Sequence, residues 1–256
     1  YRRQRQMCIR DSREARHRRS RAMIRRMNQL LRDIELDYDR DVLPLSRTSE
    51  GGGVTERHLM YALARRIVQR AGRGSAAIGF LEDAMGVALS PKQRAQLSDT
   101  GYPFYEYDLL GILKSSFLPG IYIDADEECP SLDEIAGLCR DIDALLCYAY
   151  LGDVTDSVTG DKKAQKFEDD YLDEVMECMA EHGVRGVTYM PTRNTPAQLA
   201  RIRELAERHG FIQVSGEDIN SPRQSFVIRA MDNPAFSNLI ESTWKLIDHE
   251  TKGAKL

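Results

Sequence analysis

Residues 186–224 alternate between short apolar runs and polar loops, with one helical pattern between them. The first run, residues 187–190, is rich in β-prone side chains and ends at a proline. Thr195 then offers a helix cap, and Gly210 offers a helix stop. Residues 211–214 form a second β-prone run. Strand, helix and strand in this order predict a right-handed βαβ unit with two parallel strands.

Polar side chains follow both predicted strands. Because ligands of parallel sheets bind beyond the carboxyl ends of the strands, these side chains are expected to share one rim. They are Thr192, Arg193, Asn194, Glu217, Asp218, Asn220 and Arg223. Cations, carboxylates and carboxamides together on one rim predict a phosphate or metal-phosphate site. The alternative interpretation is that they are ordinary solvent-exposed loop residues with no ligand.

The same residues resemble the closing part of the polymerase and histidinol phosphatase (PHP) domain, particularly its nucleotide-phosphoesterase branch. That family has a G-[IL]-E-V-Y-Y-P…H-T-P-E segment, then a helix, a strand and G-S-D-x-H. Here residues 186–196 are G-V-T-Y-M-P-T-R-N-T-P, and residues 216–220 are G-E-D-I-N. The resemblance implies that Asp218 is a metal ligand. Asn220 stands at the family's histidine position, where a carboxamide is a poorer transition-metal ligand than imidazole.

Two further segments extend the resemblance. Residues 54–67, V-T-E-R-H-L-M-Y-A-L-A-R-R-I, are similar to the family's G-R-P-H-x-A-x-A-L-V, with His58 at its histidine. A histidine early in a helix also has a purely structural interpretation. Residues 149–152, A-Y-L-G, follow a predicted buried parallel strand and match the family's A-H-P-G. Tyr150 thus replaces a ligand histidine, and Asp153 lies on the same rim. The family's opening H-x-H motif occurs nowhere in the sequence.

The expected fold is α/β: a partial PHP-type distorted β/α barrel of parallel strands with flanking helices and a helical insertion. The predicted domain comprises residues 13–45 and 117–250, the insertion spans 46–116, and 251–256 form a disordered tail. Thr55 and Ser90 are expected to cap helices of the insertion, and Trp244 is expected to be packed in a last helix around residues 237–249. A fragment that lacks its native N-terminus would explain the missing H-x-H motif, and the first residues suggest such a fragment. Residues 7–12, M-C-I-R-D-S, match a translation of the transposase end sequence used in sequencing libraries. Residues 1–12 are therefore expected to be adapter-derived.

The resemblance implies a metal-dependent phosphoesterase acting on a nucleotide or sugar phosphate. Divalent ions (Mn, Zn, Fe or Mg) would activate water. Asp218 and Asn220 would hold metal, and Tyr150 and Asp153 would position substrate or water. Substrate would also be bound by Arg193, Asn194, Arg223 and His58. The alternative is a PHP-like module that has lost the metal chemistry and binds a phosphorylated ligand.

Composition narrows the remaining possibilities. No apolar run approaches the roughly 20 residues of a membrane span, so no membrane partner is expected. Five scattered cysteines without zinc spacing predict reduced thiols and a cytoplasmic location.

Residues 1–32 carry twelve arginines and two acids. This segment predicts either nucleic-acid contact or a helix with one apolar face and a solvated arginine face. The acidic run at 124–128 is either a cation site or a solvated loop.

Overall fold

Local capping signals determine where several helices begin and end. Thr195 caps a helix through its side chain, which accepts a hydrogen bond from the Gln198 amide, and Gly210 ends that helix with a φ of +66°. Ser90 and Ser131 cap two other helices in the same way. Side-chain oxygens satisfy amides that have no partner within the first helical turn. The predicted caps at Thr195, Ser90 and Gly210 are confirmed.

The computed structural model describes residues 2–31, 33–154 and 165–253, with side chains from residue 10 onward. The chain divides into two compact units. Residues 1–130 form the helical unit, and residues 131–256 form the sheet unit. This division falls at Pro130, whereas the predicted domain boundaries lie at 46, 117 and 250. Those boundaries, and the adapter origin of residues 1–12, stay predictions.

The helical unit consists of helices and short helical turns. Its α-helices are α1 (Arg2–Leu30), α2 (Glu56–Ala71), α3 (Ser75–Gly79), α4 (Pro91–Ser98), α5 (Tyr105–Ser116) and α6 (Leu118–Ile121). Turns of 3-10 or π type occupy Tyr38–Val42, Leu43–Ser46, Thr48–Glu50, Phe80–Ala84 and Asp126–Glu128. α2 packs against α5, and Leu63, Ile67, Leu109 and Leu113 are fully buried. Met23 and Met27 of α1 join this core, as its apolar face predicts.

The sheet unit contains a small parallel sheet with flanking helices. Its elements are α7 (Leu132–Asp141), β1 (Cys147–Ala149), α8 (Leu172–Glu181), β2 (Gly186–Tyr189), α9 (Pro196–His209), β3 (Ile212–Ser215) and α10 (Ser237–Lys252). Turns of 3-10 type occupy Asp169–Tyr171, Arg229–Asp232 and Pro234–Phe236. β2 is the central strand, and all three strands are parallel.

The α/β class, the parallel strands and the β2–α9–β3 unit agree with the sequence prediction. In register, Tyr148 pairs with Val187, which pairs with Gln213. α8 packs against α9, and α10 contacts β3. The core of this unit includes Tyr150, Val187, Tyr189, Ile202 and Leu239. A larger PHP-type barrel stays a prediction.

Two expectations about α10 differ from the structure. The predicted disordered tail began at residue 251, but Thr251 and Lys252 belong to α10, while residues 254–256 lie outside the described part. The sequence also predicted a packed Trp244, but this side chain is 63% exposed. In the described portion of the chain, none of the helices combines the length and apolar character needed to cross a bilayer.

Candidate functional site

Three loops follow the three strands at what we call the carboxyl edge of the sheet: residues 150–154, 190–195 and 216–224. Neighbouring loops are joined by hydrogen bonds. Asn194 Nδ2 donates to the Leu151 carbonyl at 2.8 Å. The Thr192 amide donates to Glu217 Oε1 at 2.8 Å, and the Thr192 hydroxyl bonds the other oxygen of the same carboxylate. The predicted rim therefore forms one connected structure.

Tyr150 is fully buried, and its hydroxyl is already occupied. It donates to Asp169 Oδ1 at 2.5 Å, while Gln198 Nε2 donates to Asp169 Oδ2 at 2.7 Å. Burial raises the pKa of Tyr150 far above its ordinary value, and the bonded Asp169 raises it further. Burial also acts to raise the pKa of Asp169. The hydrogen bonds from Tyr150 and Gln198 have the larger, opposite effect, so the pKa of Asp169 lies below its ordinary value. A neutral phenol thus faces a carboxylate.

Glu168 is a second buried carboxylate, and it is held by the loop after β1. Its Oε1 accepts from the amides of Leu151 at 2.7 Å and of Gly152 at 3.4 Å, and its carboxylate also bonds the Tyr148 hydroxyl. Consecutive backbone amides form a concave anion-binding surface. Here a side chain of the same polypeptide occupies it. Sequence reasoning missed both Glu168 and Asp169, because acids just before a helix look like ordinary N-terminal charge.

Gly152 allows these groups to approach closely. Its φ is +69°, and a Cβ there would lie 2.8 Å from both Asn194 Nδ2 and Gln198 Nε2 and 2.9 Å from the Tyr150 hydroxyl oxygen. The left-handed backbone disfavours any other residue, and a Cβ would also push these buried polar groups apart. The glycine is therefore required where the β1 loop, the β2 loop and α9 meet.

Asp153 and Asn194 have mainly structural partners. Asp153 Oδ1 accepts from the Phe167 amide at 2.6 Å, and Asp153 Oδ2 lies 3.4 Å from Lys166 Nζ. Asn194 is buried, and its Oδ1 accepts from the Met190 amide at 2.8 Å. These bonds shape the loops, and the substrate-contacting roles of both residues stay predictions.

Arg193 differs from its neighbours. Its guanidinium carbon lies 5.6 Å from the centre of the Phe167 ring, and the side chain is partly exposed. Its Nη2 atom is buried and has no hydrogen-bond partner among the residues that the structure describes. A buried donor without an acceptor is costly and uncommon in folded proteins. An oxygen-rich ligand would satisfy this atom.

The predicted metal ligands Asp218 and Asn220 lie together in the loop after β3, where they bond each other. Asn220 Nδ2 donates to Asp218 Oδ2 at 2.6 Å, which directs an N–H group at the carboxylate. Both side chains are exposed, as is Arg223 in the same loop. Within residues 2–31, 33–154 and 165–253, no three His, Cys, Asp or Glu side chains are grouped as metal ligands. Metal binding by Asp218 and Asn220 stays a prediction.

His58 belongs to the helical unit, where it completes a capping box at the start of α2. Its Nδ1 accepts from the Thr55 amide at 3.0 Å. Burial lowers the pKa of His58, which favours the neutral imidazole that accepts this bond. The sequence signal for the cap was correct, and substrate binding by His58 stays a prediction.

The arginine-rich helix and the acidic run, considered separately in the sequence, bind each other within the helical unit. Glu128 pairs with Arg16 at 2.5 Å and with Arg19, and the exposed Glu127 pairs with Arg18 at 3.1 Å. These arginines and acids neutralise one another, while nucleic-acid contact by the other arginines of α1 and cation binding by the acidic run stay predictions.

A cavity of about 310 Å³ lies where β2 and β3 begin, at the opposite end of the sheet from the carboxyl edge. Arg185, His209 and Phe211 are among its lining residues, and it includes none of the predicted site residues. A cavity of about 300 Å³ in the helical unit is lined partly by Glu35, Arg66 and Arg70.

No protein-family model matches the chain, and neither a curated protein nor a solved structure matches it. The PHP resemblance accordingly stays a prediction based on the motifs themselves.

Proposed function

We propose that the sheet unit binds a small phosphorylated molecule, a nucleotide or a sugar phosphate, at the carboxyl edge, and that Arg193 binds the phosphate. The supporting observation is the buried Nη2 atom of Arg193, which lacks an acceptor among the described residues. A guanidinium donates to phosphate oxygens through paired N–H groups. Its position in the loop after β2 is where parallel sheets bind ligands.

The surrounding carboxylates are compatible with an anionic ligand because they already have partners. Glu217 is bonded by Thr192, and Asp169 by Tyr150 and Gln198. Each carboxylate stays ionised, but its oxygens are turned towards donors of the protein itself and not towards the proposed ligand. The neutral Tyr150 stiffens the β1 loop through Asp169, and so it supports the site indirectly. A cytoplasmic location is part of the proposal, since free thiols, such as the four described cysteines, are usual there.

The second candidate is the metal-dependent phosphoesterase that the family resemblance implies. Asp218 favours it, because this exposed carboxylate lies at the same edge and at the family's aspartate position. A bound divalent ion would supply charge neutralisation at the phosphoryl oxygens. The binding function is placed first because a buried atom, Arg193 Nη2, supports it directly.

Calorimetric titration of the full chain with AMP, glycerol phosphate and inorganic phosphate, in the presence of a chelator, tests the proposal. We expect saturable binding that weakens about ten- to hundredfold in Arg193→Met, since a charge-assisted hydrogen bond contributes about 1.5–3 kcal/mol. The matched control is Arg229→Met, which removes an exposed arginine of the same unit and should leave affinity unchanged.

Three results would contradict the binding function. Equal affinity in Arg193→Met would show that this residue does not bind the phosphate. If none of the probes bound, the carboxyl edge would not be a site for a phosphorylated molecule. Metal-dependent phosphate release that is lost in Asp218→Asn would instead favour the phosphoesterase.

A further inference from the structure

One face of α10 carries large apolar side chains that the fold leaves exposed. Leu239 and Ser242 are buried on the side that packs against the sheet unit. On another side, Ile240, Trp244 and Ile247 are 46%, 63% and 40% exposed. Their spacings of four and three residues place them on one helical face. We call these three residues the α10 stripe.

The α10 stripe has the pattern of a helix-pairing seam. Single exposed apolar residues are common on protein surfaces, whereas contiguous ones mark interaction sites. Ile240, Trp244 and Ile247 occupy successive d, a and d positions of a heptad, where the side chains of paired helices interlock. Tryptophan is also among the residues that contribute most to binding energy at protein interfaces.

The borders of the stripe are acidic. In this register the e and g positions are Glu241, Thr243, Asp248 and Glu250, which include three acids and no base. Glu241 and Glu250 are exposed, and Asp248 is paired with Lys252 at 2.7 Å. Charges at the e and g positions determine which helix can pair and in which orientation.

This charge pattern distinguishes between possible occupants. In antiparallel pairing a second copy would place Glu241 opposite Asp248, which costs free energy, and in parallel pairing it would place Thr243 opposite Asp248, which forms no salt bridge. An anionic membrane surface would be repelled for the same reason. We propose that the α10 stripe binds an amphipathic helix of another protein, with an apolar seam bordered by lysine or arginine. This inference does not depend on the proposed phosphate site.

Trp244 is the only tryptophan of the chain, so its fluorescence reports directly on the stripe. The probe is a synthetic helical peptide with leucine at a and d and lysine at e and g. A matched peptide carries glutamate at e and g. We expect the lysine peptide to shift the emission of the full chain to shorter wavelength in a saturable way. The glutamate peptide should bind at least about tenfold more weakly.

Two surface variants test the origin of this preference. Ile240→Ser combined with Ile247→Ser keeps Trp244 and should abolish the shift. Glu241→Lys combined with Glu250→Lys should reverse the preference in favour of the glutamate peptide. The control is Ile142→Ser, which removes an exposed apolar residue of the same unit and should change nothing.

Several outcomes would overturn the proposal. Equal binding of both peptides would mean that the acidic borders select no partner. A concentration-dependent shift of the chain alone, with dimers in sedimentation, would assign the stripe to a second copy. A shift produced only by lipid vesicles would assign it to a membrane surface.

Discussion

Glu128 of the helical unit and Glu168 of the sheet unit are equally buried, each with 6% of its surface exposed, but they are stabilised differently. Glu128 is paired with the guanidinium groups of Arg16 and Arg19. The bonds described for Glu168 come from two backbone amides and a tyrosine hydroxyl. Both follow from the rule that a buried charge must be paired or hydrogen-bonded.

The difference shows what an acidic run does in each unit. In the helical unit, the run at 124–128 ties the end of the unit to α1 through charge. In the sheet unit, Glu168 and Asp169 hold the loop after β1, and thereby the rim on which the proposed ligand site depends. One arrangement is electrostatic, and the other uses directional bonds from neutral donors.

The largest expected effect comes from breaking the electrostatic arrangement. Arg19→Met leaves Glu128 with Arg16 alone and removes the bonds from Arg19 to Glu56 and to the Ile123 carbonyl. Because removing one partner uncovers a buried charge, we expect a loss of about 3 kcal/mol in unfolding free energy. Urea unfolding followed by circular dichroism measures it.

Arg18→Met is the matched control for this change, because the Arg18–Glu127 pair lies on the same helix but is exposed on both sides. An exposed pair contributes less than about 1 kcal/mol. If both variants lost the same unfolding free energy, burial of Glu128 would not matter to the strength of its ion pairs. The contrast drawn between the two units would then be wrong.

A smaller effect is expected from the other carboxylate. Glu168→Ala leaves the amides of Leu151 and Gly152 without their acceptor, which we expect to cost about 2 kcal/mol. Hydrogen exchange of residues 147–153 should accelerate. Asp170→Ala, which removes an exposed acid paired with Lys166, should leave this exchange unchanged. Unaltered exchange in Glu168→Ala would show that the carboxylate does not hold the loop.

The smallest effects concern pH and salt. Hydrogen bonding from Arg40 lowers the pKa of Asp41, in the helical unit, from 3.8 to about 2. The pKa of Asp169 is also lowered. Burial raises it, but the hydrogen bonds from Tyr150 and Gln198 lower it by more. Because both folded-state values are depressed, the stabilisation is complete above the ordinary aspartate pKa and is lost as pH falls through the folded-state pKa.

Unfolding free energy measured against pH in Asp41→Asn and Asp169→Asn should show a reduced acid slope for each variant. About 0.5 M NaCl should weaken the Asp41 contribution, which depends on arginine charge, more than that of Asp169, which depends on neutral donors. Equal salt sensitivity would contradict the distinction between charged and neutral partners.

Local sequence signals predicted a substantial part of this structure. Thr195 and Gly210 marked the ends of α9, and the short β-prone runs marked β2 and β3. The order of these elements implied the carboxyl edge where Arg193, Asn194 and Asp218 lie. The signals are reliable because caps and strand propensities depend on residues a few positions apart.

Other features depended on contacts between distant segments. The sequence did not indicate that Glu168 binds the amides of residues 151 and 152, or that Glu128 pairs with α1. It indicated a packed Trp244, whereas the fold turns that side chain to solvent. The sequence by itself determined the elements and the polar character of their loops. The tertiary structure decided which charges are satisfied internally and which groups are left for a ligand or a partner, because burial and pairing arise only when remote segments pack together.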